Sequence, residues 1–255
     1  MDEKRRLLLS AAPGVLLSRG TAAPSLPVTG SEHWARKPGP NGESMRLFLW
    51  RKRTLNSPNG ALLFTHGAAV PSREVFDLQA AERPEASTMD WFARLGYDTW
   101  CVDAGVSSGA EDLGAAAEQV MRVTGQRPFL YGVGAGALHA GLFAERYPDR
   151  VRRLALDMTP GPADQASPPS IEPDVNLAAL EPARIAAPTL VMRGALADRP
   201  SAEELASFFT RLANADKQLA LLPGIGRTST LSKNRALVYH LLDGFFSQPP
   251  PAVAG

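Results

Sequence analysis

The sequence predicts an α/β fold with a mainly parallel central sheet and helices on both faces. Short apolar runs alternate along the chain with amphipathic helical stretches. Most of those runs are nearly continuous in Leu, Val, Ile and Phe, as expected of strands covered on both sides. The length, 255 residues, suits one α/β domain that buries a core without metal or disulfide support.

In chain order, strands are expected at 46–52, 61–65, 98–103, 128–132, 151–157, 189–193 and 218–222. Helices fall between them. Residues 88–95 pack Trp91, Phe92 and Leu95, the Ala-rich stretch 110–124 follows, and 135–147 puts Leu138, Leu142 and Phe143 on one side. Ser201 with Glu204 forms a capping box that opens a helix over 202–213. A last helix over 231–246 carries Leu237, Leu241, Leu242 and Phe245 at helical spacing. The Pro-rich segment 160–173 has no apolar periodicity and reads as a loop. It lies in a bridge over 158–187 with room for little more than a short helix at 177–183. The expected organisation is an N-terminal extension (1–44), one domain (45–247) with this short bridge as its lid, and a tail (248–255).

Composition removes several classes. Charges balance at +1, against a nucleic-acid or polybasic membrane protein. One cysteine, Cys101, excludes an internal disulfide framework, and four histidines leave little room for a zinc cluster. No cofactor is expected. At the N-terminus, Lys4-Arg5-Arg6 precedes Leu7-Leu8-Leu9 and an apolar run to Leu17, and Thr21-Ala22-Ala23 has small-residue cleavage character. That layout reads as a twin-arginine-type export signal, implying a periplasmic protein. Pro13-Gly14 interrupts the run, and a plain extension on a cytoplasmic protein is the other reading. No stretch approaches the ~18 apolar residues of a transmembrane span.

The chemistry is expected where a strand ends in Tyr131-Gly132-Val133-Gly134-Ala135-Gly136 and a helix begins. Glycines there serve either a nucleophile elbow, Gly-x-Ser-x-Gly, or a dinucleotide fingerprint, Gly-x-Gly-x-x-Gly/Ala. Gly132, Gly134 and Ala137 meet the second pattern, with Asp157 as a ribose-binding candidate 25 residues after Gly132.

The wider sequence resembles the α/β-hydrolase family, in the manner of bacterial serine ester hydrolases. Leu62-Leu63-Phe64-Thr65-His66-Gly67-Ala68 is similar to its His-Gly oxyanion loop, and Met89 to Trp100 to its next helix and strand. Gly136 to Val151 is similar to the segment after its elbow, Pro188 to Gly194 to the strand before its catalytic acid, and Leu222 to Gly226 to the turn before its histidine. The resemblance covers about Leu47 to Phe246 and implies an oxyanion hole formed by the N–H groups of Ala135 and Ala68, beside His66 and Gly67. It also marks the departures: Gly134 stands at the nucleophile position and Arg227 at that of the catalytic histidine, leaving Asp198 as the candidate acid. A guanidinium stays protonated and cannot act as the base.

The substitutes are weak. Ser107, Ser108, Thr228, Ser229 and Thr230 are hydroxyls without a nearby base and read as polar turn residues. His66 reads first as structural, His139 and His240 as packed helix residues, and Cys101 as a small hydrophobe. Asp103 and Asp157 end strands at the pocket edge, where a carboxylate can bind ligand or hold a turn. The expectation is a small-molecule or carboxylate binder on a hydrolase scaffold with a degenerate triad. The alternatives are an enzyme of non-serine mechanism (a lyase, cyclase or weak ester hydrolase) and, behind it, a dinucleotide-binding domain.

Overall fold

The structure, a computed structural model, describes residues 27–39, 41–67, 70–80, 86–105, 109–160, 176–226 and 228–249. Among these residues eight strands form one sheet: β1 (Thr29–Pro38), β2 (Ser44–Arg53), β3 (Gly60–Thr65), β4 (Tyr97–Val102), β5 (Phe129–Val133), β6 (Leu154–Asp157), β7 (Thr189–Gly194) and β8 (Lys217–Leu222). Their order is β1-β2-β4-β3-β5-β6-β7-β8. β2 pairs antiparallel with both β1 and β4, and every other pairing is parallel.

Among the described residues six helices cover the sheet: α1 (Ser72–Phe76), α2 (Thr88–Arg94), α3 (Gly109–Thr124), α4 (Ala135–Arg146), α5 (Ala202–Arg211) and α6 (Arg235–Phe246). Alternation along the strands feeds two cores. Leu63, Leu130, Leu154 and Leu156 meet Leu113 and Val120 of α3, Phe143 of α4 and Phe208 of α5. Leu62, Phe64, Phe129 and Tyr131 meet Phe76 of α1, Phe92 of α2 and Val238, Leu242 and Phe245 of α6. The strands β3, β4, β5, β6 and β7 are buried on both faces, which is why most of their sequences read as nearly continuous apolar runs, with Asp98 and Thr99 of β4 the main interruption.

Three departures from the sequence reading have clear causes. Strand β1 lies within the segment read as an N-terminal extension. It is an edge strand with a single fully buried residue, Ala35, so no apolar alternation announces it. The expected helix at 177–183 is instead two 3₁₀ turns, Leu177–Ala179 and Pro182–Arg184. Leu180 between them is extended, and Pro182 has no N–H to continue a helix. The last helix starts at Arg235 rather than 231, because residues 231–234 form turns. The capping box of Ser201 and Glu204 is present in both directions, at 3.1 and 2.6 Å.

Among the described residues no helix is long and apolar enough to cross a membrane. Residues 161–175 of the expected lid and the signal-like segment up to residue 26 lie outside the described residues.

Candidate functional site

The sharpest local feature is the turn from β5 into α4. Gly134 adopts φ 57° and ψ −127°, a left-side conformation costly for residues with a Cβ. The turn is locked on both sides. The Gly134 N–H donates to the Asp157 carbonyl at 2.9 Å, and the Ala137 N–H to the Gly134 carbonyl at 2.9 Å. Its flanking glycines are required by close approach. A Cβ on Gly132 would lie 2.4 Å from the Gly136 carbonyl oxygen, and one on Gly136 would lie 2.4 Å from the His66 Cα. The start of α4 is thus pressed onto the end of β3, and Gly67 passes 3.3 Å (as a virtual Cβ) from the Ala135 Cβ. Ala135 and Gly136 fall in the first turn of a 12-residue helix, where N–H groups have no intrahelical acceptor and the dipole favours an anion. Ala68, the expected second donor, lies outside the described residues.

His66 is 4% exposed, at the end of β3, with its ring edge-on to Phe76 at 5.9 Å. Burial lowers its pKa to about 4. Asp103 and a hydrogen bond with the Val70 backbone oppose that shift, and His139 adds to it. At neutral pH the imidazole is uncharged. Asp103 is exposed just after β4 and accepts the Ser72 N–H at 2.7 Å, so it holds α1 in place. His139 lies on α4 with its ring filling the space over Gly109, where a Cβ would be 2.2 Å from it. His66, Asp103 and His139 therefore gather at the same end of the sheet as Gly134.

The turns that follow β7 and β8 are also brought together. The turn after β7 is bound to the turn after β8 through Ala195 N–H to the Leu222 carbonyl (2.8 Å) and Leu196 N–H to the Ile225 carbonyl (2.9 Å). A Cβ on Gly194 would meet the Ile225 carbonyl oxygen at 2.5 Å. Asp198 sits on this turn, exposed to solvent. Arg227, Ser107 and Ser108 lie outside the described residues.

Asp157 is the carboxyl that the sequence reading placed least well. It is fully buried rather than at a pocket edge. It accepts the Tyr131 hydroxyl at 2.7 Å and the Thr159 N–H at 3.0 Å, and it is hydrogen-bonded to Ser229. Burial raises its pKa against those stabilising bonds. Such enclosure leaves Asp157 no surface for a ribose, the role it had in the dinucleotide alternative. Tyr131 and Ser229 form a polar link from the elbow strand to the turn just beyond position 227. Ser229 read as a plain turn hydroxyl, and a lone Tyr in an apolar run carries no signal of a buried partner.

The other candidates fall where packing puts them. His240 is exposed on α6, edge-on to Trp91 at 5.5 Å, rather than packed away as expected. Cys101 is buried, and its surroundings raise its thiol pKa. No group of three or more His, Cys, Asp or Glu among the described residues could hold a metal ion.

A glycine elbow after the fifth strand, a His-Gly loop against its helix, and paired turns after β7 and β8 define an α/β-hydrolase fold. The comparison with solved structures agrees. Similar chains include a CIB-like hydrolase from Thermoplasma acidophilum, with TM-score 0.60 and 14% identity over 87% of this chain and 100% of that one. Est1E from Butyrivibrio proteoclasticus matches with TM-score 0.62 and 14% identity, over 84% and 96% of the two chains. A dienelactone hydrolase from Anabaena variabilis matches with TM-score 0.60 and 17% identity, over 85% and 97%. No protein-family model matches the chain, and no curated protein matches it in sequence.

Proposed function

We propose that this protein uses the α/β-hydrolase scaffold to bind a small carboxylate or enolate, and that serine-type ester hydrolysis is absent. The observation that carries the reading is Gly134: it holds the elbow conformation, φ 57° and ψ −127°, with no side chain to attack a substrate. Covalent acyl transfer needs a nucleophile, a base to take its proton and an acid to orient that base. Gly134 and Arg227 stand at the first two places, and Asp198, the candidate for the third, is exposed.

What remains favours an anion. The N–H groups opening α4 would donate to a ligand oxygen, with Ala68 as the second donor. Arg227 would supply a permanent positive charge and a bidentate partner for a carboxylate. His66, uncharged at pH 7, would line the site as a hydrogen-bonding wall. The hydrolase names of similar structures mark hydrolysis as the competing outcome.

A second reading, non-serine chemistry such as a lyase step or weak ester hydrolysis, draws on the grouping of His66, Asp103 and His139. A base whose conjugate acid has a pKa of about 4 is a poor proton acceptor, which makes this reading secondary.

Calorimetric titration with benzoate and phenylphosphonate tests the binding role. Saturable binding that Arg227→Gln weakens about tenfold or more is expected, as for loss of a charge-assisted pair. No binding of either probe overturns the role. Labelling by a fluorophosphonate, or rapid p-nitrophenyl ester turnover, overturns the absence of serine-type chemistry. Turnover of a p-nitrophenyl ester that Gly134→Ser with Arg227→His gains shows the scaffold otherwise competent. Turnover of a lyase substrate that His66→Gln abolishes would establish the second reading.

A further inference from the structure

Away from the elbow, the edge hairpin β1–β2 carries a face that the proposed ligand site does not use. Register pairs Glu32 with Trp50, Trp34 with Phe48, and Arg36 with Arg46. All six side chains fall on one face of the ribbon, because alternate residues share a face. Trp34 is 43% exposed and Arg36 and Arg46 are exposed. The Arg46 guanidinium stacks 4.1 Å over the Trp34 ring, and Arg73 of α1 stacks 4.0 Å over Trp50.

Two like charges directly opposite on neighbouring strands destabilise a hairpin. Among the described residues neither Arg36 nor Arg46 forms an ion pair, although the chain as a whole is balanced at +1. The tertiary structure thus concentrates unpaired cations beside an exposed indole, a combination matched to a layer of phosphate anions over an apolar interior. A nucleic acid fits less well, because Arg46 already covers one face of Trp34 and no further exposed ring on this face offers a stacking platform.

We propose that the outer face of the β1–β2 hairpin, through Trp34, Arg36 and Arg46, docks this protein on an anionic phospholipid surface. The test is sedimentation of the full chain with vesicles of phosphatidylcholine alone or with about a third phosphatidylglycerol. Binding is expected to the anionic vesicles, weakened by salt, and reduced roughly 30-fold by R36E/R46E at unchanged melting temperature. Trp34→Phe is expected to lose the blue shift in tryptophan fluorescence that anionic vesicles induce. Equal binding to both vesicle types, or anionic binding that R36E/R46E leaves unchanged, overturns the proposal. Tighter binding of a single-stranded oligonucleotide that the same variant abolishes overturns it in favour of nucleic acid.

Discussion

Replacing Gly136 by Ala tests the seat of the elbow directly. The new Cβ would lie 2.4 Å from the His66 Cα, 2.6 Å from the His66 nitrogen and 2.6 Å from the Thr65 carbonyl oxygen. All three are backbone atoms, so no side chain can swing aside. Restoring ordinary contact, 3.4 Å or more, requires α4 to move ~1 Å from β3. That shift would disturb Ala137, Ala140 and Phe143, which are 0% exposed in the same helix. Overpacking of this kind costs about 1–3 kcal/mol, and a backbone clash belongs at the upper end. At about 3 kcal/mol the melting temperature should fall by roughly 6–12 °C. Gly244→Ala in α6 supplies the control, because its Cβ would meet nothing within 4 Å. There Ala should gain about 0.8–1 kcal/mol of helix propensity and raise the midpoint by a few degrees. Scanning calorimetry on the two variants and the parent measures both. A Gly136→Ala midpoint within about 2 °C of the parent, with the control behaving as stated, would refute the packing of α4 against the His-Gly loop.

Three further outcomes follow from buried charge. His66 has a folded-state pKa of about 4 against 6.5 ordinarily, so the unfolded chain takes up its proton first. Stability should therefore fall as pH drops from about 6.5 to 4, by up to ~3 kcal/mol from this residue. Urea titrations of His66→Gln across that window should show a flatter profile. Asp157 has the opposite sign: burial holds its proton to higher pH than the ordinary 3.8, so its contribution declines as pH rises from there to the folded value. Relative to the parent, Asp157→Asn should gain stability across that rise, and a constant difference would sink the assignment. Lys52 is 8% exposed between Asp77, at 2.7 Å, and Asp90. Lys52→Met strands two buried carboxylates and should cost about 3–5 kcal/mol in denaturant unfolding.

Legibility in the sequence followed burial. β3, β4, β5, β6 and β7 were readable because both faces of each are covered, which leaves little polar residue to interrupt the run. β1 was not, because pairing with β2 rather than apolar content holds it in the sheet. The helix expected at 177–183 failed at Pro182, where two short turns replace it. The elbow was visible as a glycine spacing, and so was the glycine at its centre. The family resemblance also set His66 and Gly67 beside Ala135, but the partners of Asp157 were not visible, because it draws its donors from β5, its own turn and the loop at Ser229.

By itself the sequence determined the class of fold and the glycine spacing of the turn between β5 and α4. These are properties of residue type and spacing, which a linear chain carries without folding. The tertiary structure decided which groups share a neighbourhood. It buried Asp157 under the elbow, lowered the basicity of His66 by enclosing it against Phe76, and set Arg36 opposite Arg46 on an exposed edge. Desolvation and charge proximity depend on distances in space, and only the folded chain sets those.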